Sequence, residues 1–320
     1  MVPVFILYLL SQSSIFALSI KNLRYLSLKN SINIVSTQYE NKNKDNMLSY
    51  YLSGLVEGDG HLSVPKVLKG PSGKSKVANI EVIFALKDLP SAEYLLKKYG
   101  GNIYKHSVKK IVKWKIQDKK SVTLIVNTIN GKFRTPKINA LHNMIDFLNN
   151  KGENIKKLPL DSSSLESNAW LAGFIDSDGC FSIKGFSSEK VRTYLAFQFY
   201  LAQRVNDISG ESLEKLMNSL AEFLNTKLTT RIFKEKYSQF VVNTSSITSN
   251  KILINYLNTY PLLSSKHLDY KDWEKALNLY EKKLHRNPIY LEKIRTLKFN
   301  MNNGRSLFNW SHLENTIYKS

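Results

Sequence analysis

Residues 52–64 read LSGLVEGDGHLSV and residues 171–183 read LAGFIDSDGCFSI. The offset is constant: Leu52 matches Leu171, Gly54 matches Gly173, Asp59 matches Asp178, Gly60 matches Gly179 and Ser63 matches Ser182. Glu57 and Asp176 are chemically alike. Self-similarity of this kind implies a duplicated domain. The chain length of 320 residues agrees, since about 150 residues per domain gives about two domains.

Each copy carries the same local grammar. A short apolar segment at helical density (50–56; 169–175) ends at an acid and a glycine. Alternating stretches follow, with β-rich runs at 80–86 and 194–202. A helix is expected over 91–99 and over 212–224. A second strand pair then takes 103–116 with 123–127 in copy one, and 228–233 with 239–242 in copy two. Helices close each copy, so the expected fold is α+β, built from two αββαββα repeats. The domains fall at 47–150 and 169–304, joined by a linker at 151–168 and followed by a C-terminal tail at 305–320. Residues 1–20 carry no charge, but Pro3 and the polar cluster Ser11 to Ser14 interrupt them, and no positive charge precedes them. A membrane or targeting role is weaker for this segment than that of a leader or extension; with the polar stretch after it, 1–46 is read as lying outside the folded unit.

The repeated motif has two chemical features. Ser53 and Gly54 in one copy, and Ala172 and Gly173 in the other, leave one helix face almost bare. Two such helices can pack backbone to backbone, which brings Asp59 and Asp178 together at the base of a pseudo-two-fold seam. Paired carboxylates repel unless positive charge lies beside them, and hard divalent cations take oxygen ligands. The chain also has 46 Lys plus Arg against 26 Asp plus Glu, a net charge of +20, which favours a polyanionic partner. One cysteine, Cys180, excludes an internal disulfide and a multi-thiolate zinc site. Paired acids in a strongly basic chain point to a metal-dependent nuclease centred between the repeats.

Segments 52–60 and 171–179 resemble the LAGLIDADG motif of homing endonucleases; the second departs from that string at two of nine positions and the first at four. The resemblance runs over roughly 48–304 and includes NGKFRTPK at 130–137, AQR at 202–204 and LLSSKHLDY at 262–270. The chain is similar to the two-repeat, single-chain enzymes encoded in group I introns of fungal mitochondrial genes. This implies mitochondrial localisation, a monomer, and metal binding by Asp59 and Asp178, with about two or three Mg²⁺ ions at the interface and Mn²⁺ able to substitute. It implies catalytic roles for Lys137 and Lys266, which would position or polarise the attacking water. A polar residue on the second strand joins the water network in this family. Gln203 matches it in copy two and Lys87 in copy one, an asymmetry that allows unequal nicking of the two strands.

Four strands per repeat would form a curved sheet, and two repeats a saddle laid along double-stranded DNA, with ribbons in the major groove. Candidate contacts are Lys66, Lys69, Lys74 and Lys76 in the first hairpin, and Lys105, Lys109, Lys113 and Lys115 in the lysine-rich stretch after it. Copy two supplies Lys184, Lys190, Arg192, Lys227, Arg231, Lys234 and Lys236. Between 48 and 150 there are 17 basic and seven acidic residues, so the bias lies within the domain. Most such charges contact phosphate and a minority specify bases. Each repeat covering ~10 bp gives a target of about two helical turns, asymmetric because the repeats differ. The rival reading is an RNA maturase that assists splicing of its own intron; it has no need of Asp59 and Asp178.

Overall fold

The computed structural model describes residues 46–67, 73, 76–186, 191–233 and 237–318. The expectation for the N-terminal segment lies outside the described residues. Among the described residues no helix is long and apolar enough to cross a membrane.

Copy one runs α1 (46–59), β1 (Gly60–Ser63), β2 (Asn79–Ala85), α2 (Leu89–Tyr99), β3 (Asn102–His106), β4 (Ile111–Ile116), α3 (Lys119–Ile129) and α4 (Ile138–Asn149). Copy two repeats the order with α5 (Trp170–Asp178), β5 (Gly179–Phe186), β6 (Val191–Arg204), α6 (Glu214–Phe223), β7 (Leu228–Phe233), β8 (Tyr237–Thr244), α7 (Ile247–Thr259) and α8 (Lys266–Glu281). It then adds α9 (Pro288–Phe299) and the short α10 (Ser311–Glu314). The sheets are four-stranded, antiparallel and ordered β1-β2-β4-β3 and β5-β6-β8-β7. The α+β two-repeat fold is therefore as expected.

Both sheets bury one face. On β2, Ile80, Val82 and Phe84 turn inward while Glu81, Ile83 and Ala85 turn out, the period-two alternation of a half-covered strand. On β4, Val112, Trp114 and Ile116 are buried and the intervening Lys113 and Lys115 are not. The inner faces pack against the helices, with Trp114, Trp170, Phe181 and Phe199 among the largest fully buried side chains.

One expected strand is absent. Residues 123–127 lie inside α3, where Val122, Ile125, Val126 and Ile129 are buried at helical spacing and Asp118 caps the first turn by accepting from the Ser121 amide. The β-branched run favours a strand locally, but burial of one helical stripe outweighs that propensity. The strand pair of copy one is instead made within 102–116, turning at 107–110 with Lys110 at φ 52°.

Residues 305–318 are packed onto copy two and the seam. Arg305 pairs with Asp269 and Asp272 at 2.9 and 2.6 Å. Tyr318 is fully buried, packs its ring at a tilt against Tyr51 with centroids 5.5 Å apart, and donates to the Pro261 carbonyl. The rings of His267 and His312 stack at 4.3 Å. Loss of hydration, with His312 and Lys271 adding to it, lowers His267 to about 3. A folded value below the unfolded one means that stability is complete above the unfolded value and falls as pH drops below about 6.5. At pH 5 this site should cost about 2 kcal/mol relative to pH 7.5. Melting curves of wild type and His267→Phe at the two pH values isolate it: the wild type should lose more stability on acidification than the variant. Equal losses would refute the assignment.

Candidate active site

The motif helices α1 and α5 meet through their glycines. A Cβ on Gly54 would lie 1.9 Å from the Trp170 carbonyl oxygen, and one on Gly173 would lie 1.9 Å from the Tyr51 carbonyl oxygen. The contact is reciprocal, so neither helix admits even an alanine at this point. Ser53 and Ala172 are fully buried. The Ser53 hydroxyl turns back to the Ser49 carbonyl, and the Ala172 amide donates to Tyr256 Oη. Gly58 is a third close approach, with Ser177 Oγ 1.8 Å from the site of a Cβ.

Asp59 and Asp178 end the two helices, each directly before the glycine that opens a strand. Both side chains reach the surface. A cleft of about 260 Å³ lies over this end of the seam, with Asp59, Phe84, Lys87, Asp176, Ser177 and Lys266 in its wall. Loss of hydration raises the Asp59 carboxyl to about 6. The charge of Asp178 adds to the rise, while Lys266 and Lys137 oppose it. Asp178 Oδ2 accepts from Gln203 Nε2 at 2.8 Å and from Ser177 Oγ at 3.4 Å.

Each lysine caps the motif helix of its own repeat. Lys137 Nζ faces the carbonyls of Val56, Glu57, Gly58 and Gly60 at 3.0, 2.5, 3.3 and 2.9 Å. Lys266 Nζ faces those of Ile175, Asp176 and Ser177 at 2.7, 2.9 and 3.3 Å. The end carbonyls of a helix lack intrahelical donors and carry its negative pole. Burial lowers both lysines, and the nearby carboxylates hold them up. With three N–H donors, each ammonium is largely committed to carbonyls. Lys266→Met should therefore cost about 2 kcal/mol of stability, measurable by denaturant titration. A variant as stable as wild type would show that the cap is dispensable.

Among the described residues no group of three or more His, Cys, Asp and Glu side chains is placed to hold a metal. The donors present are two carboxylates, hard oxygen ligands whose mutual repulsion a divalent cation would relieve. That donor set fits a magnesium-type ion that takes its remaining ligands from water and phosphate.

The profile of the LAGLIDADG endonuclease family matches residues 52–148 and 171–277. The chain belongs to that family. It is 33% identical to the intron-encoded DNA endonuclease aI3 of Saccharomyces cerevisiae, across 93% of this chain and 80% of the relative. It is 26% identical to the intron-encoded RNA maturase bI4 of the same yeast, across 54% of this chain and 25% of that one. Among solved structures, the I-LtrWI LAGLIDADG homing endonuclease bound to target DNA superposes with a TM-score of 0.64 at 21% identity. That match covers 82% of this chain and all of the other, and it shows the fold.

In this LAGLIDADG protein the sheet register corrects one expected pairing. Gly60 sits opposite Val82, and Gly179 opposite Leu201. Two residues further along each strand, the counterpart of Gln203 is Phe84. Lys87 lies past the strand, in a 3-10 turn (Leu86–Asp88), with its ammonium 5.8 Å from the Phe308 ring centroid. Asp178 thus has an amide donor, whereas the matching position beside Asp59 is a phenyl ring.

The motif's inner acids have work that the sequence did not disclose. Glu57 accepts from the amides of Arg134 and Thr135, from Thr135 Oγ1 and from Trp170 Nε1. Asp176 accepts from the amides of Leu263 and Ser264, from Ser264 Oγ and from Tyr51 Oη. Each carboxylate pins the loop that carries its repeat's lysine. The repeated small hydroxyl two residues before each lysine (Thr135, Ser264) was the available signal.

Cross-strand partners share a face of a sheet. Lys113 and Lys115 lie on the open face of the first sheet, with Lys113 paired to Glu81 at 2.8 Å. Lys105 pairs with the buried Val112, so it sits on the helix-packed side at the sheet edge, a correction to its expected place on the reading face. Lys109 is in the β3–β4 turn. Lys66, Lys76 and Lys227 are exposed beside strands. Lys184 lies on the open face of the second sheet, as does Arg231, whose guanidinium stands 5.2 Å from the Tyr200 ring centroid. Lys69, Lys74, Lys190, Lys234, Lys236 and the Arg192 side chain lie outside the described residues.

Proposed function

We propose that this chain is a site-specific endonuclease that cuts both strands of one long, asymmetric DNA duplex, acting as a monomer in intron homing. The observation that carries the reading is the pair Asp59 and Asp178 at adjoining helix ends, in a chain of net charge +20. The named activities of relatives such as the yeast aI3 endonuclease support it. Asp59 and Asp178 would hold the divalent metal, Mg²⁺ or Mn²⁺, which when bound supplies charge neutralisation at the scissile phosphate and lowers the pKa of water. Gln203 orients Asp178. Lys137 and Lys266 hold the helix ends in place and offset the charge that the acids and a phosphate bring together. Lys113, Lys115, Lys184 and Arg231 lie where a duplex on the open sheet faces would meet them. The relatives' intron-encoded names support an intron origin, and the mitochondrial setting rests on the family resemblance.

The maturase reading keeps one specific support, the likeness of half the chain to an RNA maturase. Incubation of purified protein and Mg²⁺ with duplex spanning the uninterrupted host-gene junction decides between them. Discrete double-strand cuts are expected. Intron splicing rescued without cleavage of any junction would replace this reading with the maturase.

A further inference from the structure

The open faces of the two sheets use different chemistry. Across the first sheet, Ile83 lies beside Lys113 and then Tyr104, and the neighbouring rung is Ala85, Ile111 and His106. Across the second, the rung matching Ile83, Lys113 and Tyr104 is Ala202, Val241 and Thr229, and the rung matching Ala85, Ile111 and His106 is Arg204, Gln239 and Arg231. Ile83 is 40% exposed and Tyr104 50% exposed. Single exposed apolar residues are ordinary, but contiguous ones mark a contact surface. Here Ile83 and Tyr104 lie on either side of Lys113, with Ile111 next along that strand on the same face, and the Lys113–Glu81 ion pair satisfies the charge between them. Ile83 also lines the cleft that holds Asp59, so it stands at the end of the sheet nearest that acid.

In the major groove thymine is the base that presents a methyl group, and apolar side chains read it; Arg and Gln instead match guanine and adenine edges. We propose that Ile83 is a specificity residue that reads the C5-methyl group of a thymine close to the cut, in the half-site under the first repeat. The inference rests on the DNA reading above and adds which base is read and by which residue.

The test is equilibrium binding without divalent metal, using a duplex selected from a randomised pool. Each thymine is replaced singly by deoxyuridine, which removes only the methyl group. One thymine position should lose about three- to fivefold in affinity, the value of one buried methyl. Ile83→Ala should bind the thymine and uracil duplexes equally, and Ile83→Val should keep part of the difference. The uracil series uses the unaltered protein, so a variant that fails to fold does not decide the outcome. The proposal is overturned if every uracil duplex binds like its parent, or if Ile83→Ala still discriminates. Light scattering of the DNA-free protein supplies another route to refutation: a dimer dissolved by Ile83→Ser would assign the patch to self-association. A pool that yields no enriched sequence overturns the DNA reading, and this inference with it.

Discussion

Asp59→Asn and Asp178→Asn should each bind the selected duplex as well as the wild type or better, and each should cut it at least about a hundredfold more slowly. The amide is isosteric with the carboxylate, so packing at the helix ends is kept, and in the second variant the new carbonyl oxygen can still accept from Gln203. What is lost is charge. Asp59 is already held up at about 6 by lost hydration and by Asp178, so the pair repels in the absence of a cation. Removing either charge relieves that repulsion and lowers the cost of seating a phosphate beside the other. Binding therefore improves or holds while metal affinity falls. Fluorescence anisotropy and strand-resolved cleavage on the same duplex measure the two effects separately. Chelation with EDTA should reproduce the cleavage defect in the wild type. Cutting at the normal rate by either variant would remove the paired acids from the chemistry.

Gly54→Ala and Gly173→Ala should each destabilise the protein by about 4 kcal/mol or more. The direction is opposite to local expectation. In an isolated helix, Gly to Ala stabilises by roughly 1 kcal/mol. Here the added carbon meets a backbone oxygen at 1.9 Å on either side, and a backbone oxygen cannot rotate away as a side chain can. The helices must part, which pulls on every contact between the repeats. Denaturant melts report the loss, and an insoluble product reports its extreme. A stabilised Gly54→Ala would mean that the seam is looser than the packing described.

Much of this was legible in the sequence, and the parts that were not share a cause. The duplicated motif announced two domains, a packed seam and paired acids, because each depends on residue types within a few positions of one another. The helical nature of 119–129 was hidden because Val122, Thr123, Ile125 and Val126 suit a strand locally; only their burial along one helical stripe decides. The counterpart of Gln203 needed a sheet register, which spacing alone does not provide when the hairpins differ in length. The anchoring of Glu57 and Asp176 spans 77 to 125 residues of chain, beyond the reach of any local pattern. The buried Tyr318 sits in a segment whose composition says little about where it docks.

The exchange of donors across the seam reaches beyond the folded state. The buried acid of copy one relies on Trp170 from copy two, and the buried acid of copy two relies on Tyr51 from copy one. Neither half is chemically self-sufficient, although each has its own sheet. The two copies differ in sequence over most of their length, yet this crossed dependence ties a residue of each motif helix to the other. A half transplanted from a relative would have to bring along the indole or the phenol that its new neighbour lacks.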